Sequence, residues 1–172
     1  PLNSGYGLAA VATGAGFLWN NEMDNFSARP GIPNQYGMLG AEANSVQPGK
    51  RPLSSMTPTI VRRFGDFYMT MGSPGGPTII NTVLQIYLNV TVWGMDIQQA
   101  IDAPRVHHQW LPDRIDHEPF AISAETQAAL EEMGYELDER RSIGMAAGIT
   151  RTSEGFLAGY ADRRGAGTAR GY

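Results

Sequence analysis

Residues 66–90 read DFYMTMGSPGGPTIINTVLQIYLNV, and the order of residue types in this stretch sets the fold class. Asp66 to Met71 reads as a short strand, Gly72-Ser73-Pro74-Gly75-Gly76-Pro77 as a turn, and the segment from Thr78 as a helix. In a strand–glycine turn–helix unit, the N–H groups of Gly75 and Gly76 can converge on one point while the helix dipole adds positive potential, which suits an oxyanion or a phosphate. A phosphate loop needs a Lys and a Ser/Thr at fixed spacing after its glycines, whereas Pro77 and Thr78 follow here, so nucleotide binding is disfavoured. Taken alone, Ser-Pro-Gly-Gly reads first as a plain tight turn. In the helix, Ile79, Ile80, Val83, Leu84, Ile86, Tyr87, Leu88 and Val90 cover most of the cylinder, and Asn81, Gln85 and Asn89 form one narrow polar stripe. The pattern predicts a helix buried nearly all round.

Upstream, the apolar runs Gly7 to Thr13 and Gly16 to Trp19 predict a β-hairpin, and Pro30 to Pro58 a long connection. Downstream, a short helix is expected around Asp96 to Asp102, stopped by Pro104. A third runs from an N-cap at Ser123 to a terminal glycine at Gly134, with Ala124, Leu130 and Met133 on its inner side. Ile143 to Thr150 and Phe156 to Tyr160 read as strands, and the tail then dissolves into Arg163-Arg164-Gly165-Ala166-Gly167. No internal repeat and no linker divides the chain, so 1–172 is expected to be a single domain.

The composition bounds the partners. A chain of 172 residues with 42% hydrophobic content can bury a core. Its 13 Lys+Arg and 17 Asp+Glu are scattered along the sequence, without a basic stripe for nucleic acid. No apolar run reaches the roughly 20 residues of a membrane span, and no leader-like segment stands at residue 1. The lack of cysteine excludes disulfides, thiolate zinc sites and cysteine nucleophiles, and leaves the redox compartment open. With 21 Gly and 11 Pro against only 17% charged residues, the chain reads either as a loop-rich β-containing domain or as one half of a larger assembly.

Three further segments carry candidate chemistry. Lys50-Arg51-Pro52-Leu53-Ser54-Ser55-Met56-Thr57-Pro58 sets two hydroxyls behind two cations, an arrangement for a carboxylate, with a solvated turn as the default. Asn20-Asn21-Glu22-Met23-Asp24-Asn25 is either a receptor for an ammonium group or an ordinary polar loop. His107 and His108 read as hydrogen-bonded structural histidines, because adjacent side chains rarely aim at one metal.

In this order the segments resemble the small subunit of the γ-glutamyltranspeptidases. The resemblance is carried by Leu2-Asn3, Asn-Asn-Glu-Met-Asp at 20–24 with Phe26-Ser27, Gly40-Ala41-Glu42-Ala43-Asn44, and KRPLSSM at 50–56 with Pro58-Thr59. It continues through GSPGG at 72–76, Ala103-Pro104-Arg105, HHQWLPD at 107–113 and Gly171-Tyr172. It implies an α+β N-terminal-nucleophile hydrolase, two β-sheets between helical layers, of which this chain is most of the small subunit without its first strand. A threonine freed by self-cleavage would attack a γ-glutamyl amide, using its own α-amine of ordinary pKa about 7.7–8.0 as base, with no metal or organic cofactor.

By position in the family motifs, Gly75 and Gly76 are the expected oxyanion donors. Ser54 and Ser55 are expected at the glutamyl α-carboxylate, and Asn3, Glu22 and Asn25 at its α-amino end. A large subunit of the same precursor is the implied partner and contributes an arginine for the α-carboxylate. The implied location is periplasmic or extracellular.

Two positions depart from the family pattern. The chain starts at Pro1, so the nucleophilic threonine is expected upstream; Thr13, Thr57 and Thr59 are internal and have no free amine. The family motif Met-Asp-Asp-Phe reads Met23-Asp24-Asn25-Phe26 here. A hydrogen bond to a charged group is worth about 1.5–3 kcal/mol against about 1 kcal/mol for a neutral one, so selection for a donor ammonium should weaken. That exchange raises the alternative of an acylase acting on glutaryl-type amides, such as cephalosporin side chains. A non-catalytic relative that binds an amino-acid-like ligand is a second alternative.

Overall fold

The computed structural model describes residues 2–171, and Pro1 and Tyr172 lie outside the described residues. By its contacts the chain falls into two compact units, Pro1–Ser55 and Met56–Tyr172.

The first unit is built from turns. Leu8 N–H donates to Trp19 O at 3.0 Å, Trp19 N–H to Ala10 O at 2.9 Å and Ala12 N–H to Phe17 O at 2.8 Å, with one antiparallel bridge between Val11 and Leu18. The expected hairpin is present as a pairing, but its glycines at positive φ (Gly7, Gly14, Gly16) keep it from becoming a regular strand pair. Single 3₁₀ turns form at Glu22–Asn25 and Glu42–Asn44. A parallel bridge joins Ser27 to Ser45, and Phe26 and Ser27 are buried.

The second unit holds the regular elements. Strands β1 (Thr59–Arg63), β2 (Asp66–Gly72), β6 (Ala147–Arg151) and β7 (Leu157–Ala161) form an antiparallel sheet in the order β1-β2-β6-β7. Helices α1 (Thr78–Thr91) and α2 (Ile97–Asp102) pack on it. Met69 and Met71 of β2 meet Ile79, Val83, Ile86 and Val90 of α1 and Ile97, Ala100 and Ile101 of α2 in one core. A second sheet, in the order β3-β4-β5, comprises β3 (Val106–His107), β4 (Arg114–His117) and β5 (Glu136–Glu139), with β4 and β5 parallel and linked through α3 (Ala124–Glu132).

The caps follow the sequence. Asp96 and Gln99 form a reciprocal capping box at α2, with Gln99 N–H donating to Asp96 Oδ1 at 2.8 Å. Ser123 accepts from Thr126 N–H at 3.1 Å, and Gly134 follows the last turn of α3 at φ 93°.

Two expectations about helix faces are corrected. Helix α1 is not buried all round: Ile80 and Leu84 are about half exposed, at 51% and 52%. Its polar stripe points inward instead, because Gln85 pairs with both backbone groups of Val106 (2.9 and 3.0 Å) and Asn89 donates to Ala100 O at 3.3 Å. In α3, Ala124 and Met133 are exposed and only Leu130 is half-buried, since this helix touches little besides β5.

Candidate active site

The glycine turn closes β2 and opens α1. Gly75 and Gly76 have φ of 143° and 57°, which residues with a Cβ rarely adopt. Gly75 O accepts from both Thr78 N–H (3.2 Å) and Thr78 Oγ1–H (3.0 Å), and Gly76 O from Ile79 N–H (3.2 Å). With the carbonyls thus engaged, neither the Gly75 nor the Gly76 N–H donates to another described residue. Gly75 is exposed and Gly76 half-buried. Two adjacent N–H groups at the positive end of a 14-residue helix can stabilise an oxyanion.

In the first unit the structure brings Asn3, Glu22 and Asn25 together. Asn25 Nδ2 donates to Glu22 Oε2, and Asn3 Nδ2 donates to Asn25 Oδ1 at 3.0 Å. Asn25 therefore uses its amide in both directions, giving a proton to the carboxylate and accepting one from Asn3. Tyr36 Oη–H donates to Asn3 Oδ1 at 2.7 Å. Asn44 Nδ2 donates to Asn25 O at 2.7 Å, while Asn44 Oδ1 accepts from Leu53 N–H at 3.1 Å, next to Ser54 and Ser55. Ser54 is exposed and Ser55 half-buried. Tyr36 was not legible as a participant, because it is far from Asn3 in sequence and sits in a turn whose only local signals, Asn34 and Gly37, describe the turn itself.

The second unit contains a buried ionic quartet that sequence reasoning missed. Arg105 Nη2 donates to Asp162 Oδ2 at 2.7 Å and to Ile101 O at 2.6 Å, and Arg105 Nη1 to Ile143 O at 2.7 Å. Arg164 holds Glu118 through Nε (2.7 Å) and Nη2 (2.5 Å), and Asp162 Oδ1 through Nη1 (3.0 Å). Arg105, Glu118 and Asp162 are buried. The tail at 162–165 is thus locked in place rather than dissolving.

Burial alone would push both carboxyl pKa values up. For Glu118, hydrogen bonds from Arg164 and from the backbone of Ile143 and Arg105 outweigh burial and hold it below its usual value. For Asp162, the N–H groups of Arg164 and Ala146 and the Arg105 guanidinium do the same. Arg105 is lowered by its burial, while Glu118 and Asp162 raise Arg164 against the effect of burial.

The histidines have hydrogen-bond partners: His107 Nε2 with Gln109 Oε1 at 2.9 Å, His108 Nε2 with Asp113 Oδ1 at 3.0 Å, and His117 Nδ1 with Glu118 O at 3.1 Å. No group of three or more His, Asp or Glu side chains among the described residues could hold a metal.

An α+β chain of this topology, with a glycine turn between strand and helix, has the fold of the N-terminal-nucleophile hydrolases. It matches an alanine mutant of Helicobacter pylori γ-glutamyltranspeptidase with a TM-score of 0.89 and 45% identity, over 95% of this chain and 89% of that one. It matches Pseudomonas nitroreducens γ-glutamyltranspeptidase complexed with L-DON with a TM-score of 0.91 and 38% identity, over 100% and 90% of the two chains.

The model of the gamma-glutamyltranspeptidase family matches residues 1–172, and the chain belongs to that family. The glutathione hydrolase proenzyme of Escherichia coli is 45% identical over 163 residues, 95% of this chain and 28% of that protein. The chain spans about a quarter of the length of the curated proenzymes it matches. No helix among the described residues is long and apolar enough to cross a membrane.

Proposed function

We propose that the protein containing this chain hydrolyses and transfers γ-glutamyl groups of glutathione-type amides, and that residues 1–172 form most of its catalytic small subunit. The observation that carries the proposal is the pair of N–H groups at Gly75 and Gly76, unengaged at the start of α1, in a chain 45% identical to a glutathione hydrolase proenzyme.

The hydroxyl of an N-terminal threonine outside this chain attacks the γ-carbonyl carbon, and its proton passes to the threonine α-amine. The negative oxygen of the tetrahedral intermediate accepts from Gly75 and Gly76 N–H. The C–N bond breaks as the α-ammonium returns the proton to the leaving amine, which gives a γ-glutamyl ester. Water or an acceptor amine then attacks the ester carbon and gives its proton to the α-amine. The ester C–O bond breaks, and the α-ammonium returns that proton to the threonine oxygen as glutamate or a new γ-glutamyl amide departs. Asn3, Glu22 and Asn25 receive the substrate α-ammonium, with Glu22 as the anion and Asn25 fixing its orientation. Ser54 and Ser55 hold the α-carboxylate.

The partner is a large subunit cut from the same precursor. Its presence is supported by the greater length of the proenzyme relatives and by the exposed apolar residues Ile80, Leu84 and Trp93. The protein acts in the periplasm or outside the cell. The names of the relatives do not favour the glutaryl acylase alternative.

The test is steady-state turnover of γ-glutamyl and glutaryl anilides by the protein expressed from its complete gene. A kcat/KM for γ-glutamyl anilide at least tenfold above that for the glutaryl compound supports the reading. Equal values would support the acylase, and binding without turnover the non-catalytic relative.

A further inference from the structure

Gly75 is exposed and carries a φ that glycine alone tolerates, so the turn needs walls to hold both N–H groups in one direction. One wall is its own helix, since a Cβ on Gly75 would collide with Thr78 Oγ1. The other is a strap from a distant part of the chain: the same Cβ would lie 3.5 Å from Gly144 Cα. The strap is residues Ile143–Ala146, ahead of β6. Met145 N–H donates to Ser73 Oγ at 3.0 Å, and Ser73 Oγ–H donates to Pro74 O at 2.7 Å. Ser73 thereby ties the strap to the Pro74–Gly75 peptide, which carries the Gly75 N–H. Gly144, at φ 69°, lies so close that a Cβ there would meet Thr82 Oγ1 at 2.7 Å and Ser73 Oγ at 2.8 Å.

The ionic quartet grips both ends of this strap. Ile143 N–H donates to Glu118 Oε1 (2.7 Å) and Ile143 O accepts from Arg105 Nη1 (2.7 Å). Ala146 N–H donates to Asp162 Oδ2 (2.9 Å), and Ala146 O accepts from Asp162 N–H (2.9 Å). A buried network whose backbone bonds end at Ile143 and Ala146 leaves the N–H of Met145 to hold the glycine turn.

We infer that Ser73 and the strap 143–146, clamped by Arg105, Glu118, Asp162 and Arg164, are positioning residues that aim the Gly75 and Gly76 N–H groups. The inference rests on the oxyanion reading of the turn. An oxyanion exists only in the transition state, so loosening its donors lowers kcat and kcat/KM together and leaves KM unchanged. A misplacement of about 1 Å can cost on the order of 10²-fold, and loss of one of the ties on the turn is expected to cost about 10-fold.

The test compares Ser73→Ala, Ser73→Thr and Gly144→Ala in the protein expressed from its complete gene. It measures γ-glutamyl anilide kinetics and amide hydrogen exchange of peptides spanning 72–78, 143–147 and β7. Ser73→Ala should lower kcat about 10-fold with KM within twofold, and Ser73→Thr, which keeps the hydroxyl, should recover most of it. Amides of 72–78 should exchange about 10-fold faster in Ser73→Ala and Gly144→Ala, with β7 unchanged. Unaltered kcat and exchange in Ser73→Ala would overturn the inference. Should the unsubstituted protein lack turnover, the functional reading fails separately. The exchange data still decide here: faster exchange supports the strap, and unchanged exchange overturns it.

Discussion

At the residue scale, Asn25 can serve Glu22 because an amide is both donor and acceptor. It donates to the Glu22 carboxylate and accepts from Asn3, so the three side chains meet with no like-charge contact. A carboxylate at position 25 would face Glu22 directly, a like-charge contact that the amide avoids. Glu22→Gln should raise KM for γ-glutamyl anilide about 10-fold, the loss of one charge-assisted hydrogen bond, with a smaller change in kcat. Initial-rate kinetics on the protein from its complete gene check this. An unchanged KM would remove Glu22 from the ammonium site. The glycine pair was legible in the sequence because its meaning is local, two glycines between a strand and a helix. The partnership of Asn3 with Tyr36 was not, because it joins two turns whose sequences specify only themselves.

At the element scale, the helical periodicity of 78–91 gave the element and missed its orientation. Apolar and polar faces were assigned by hydropathy, yet Gln85 and Asn89 turn inward because the backbone of Val106 and Ala100 offers partners that no solvent could replace there. Ile86→Ala, at 1% exposure in the core against β2, should lower unfolding free energy by about 2–5 kcal/mol. Leu84→Ser, on the exposed face, should change it by no more than about 0.5 kcal/mol in this chain alone, and more once the proposed large subunit covers that face. Urea denaturation checks both. Strands β4 and β5 escaped sequence reading because Arg114-Ile115-Asp116-His117 and Glu136-Leu137-Asp138-Glu139 each offer too little apolar alternation. They are joined by parallel pairing, with Arg114 and Arg140 bridging Asp116 and Asp138 at 2.9–3.4 Å. These pairs are partly exposed and contribute little each.

At the scale of the whole molecule, the quartet joins the APR motif at 103–105, the start of the segment before α3 and the tail. Arg105 and Asp162 stand 57 positions apart, so only the fold reveals the pairing. Arg164→Ala leaves Glu118 and Asp162 facing a single arginine and should cost about 3–5 kcal/mol. The pH dependence has a definite sign. Glu118 and Asp162 have folded pKa values below their unfolded ones, so between the two values the unfolded state binds more protons and stability rises with pH. Their contribution is complete above the ordinary carboxylate range of about 4 and is lost as pH falls through the depressed values. In Arg164→Ala the Glu118 pKa is less depressed, so the stability lost on acidification should be smaller than in the unsubstituted protein. Melting temperature followed from pH 7 downward distinguishes the two profiles.

The proposed function requires that the protein containing this chain acylate its own N-terminal threonine with a γ-glutamyl group, the oxyanion of that step accepting from Gly75 and Gly76 N–H. Intact-mass and N-terminal analysis of the protein from its complete gene, acid-quenched during turnover of a γ-glutamyl anilide, is the decisive test. The expected result is two chains, the smaller beginning with threonine upstream of Pro1 and carrying the added mass of one γ-glutamyl acyl group. A single uncleaved chain, or a small chain that takes up no acyl group, would contradict it.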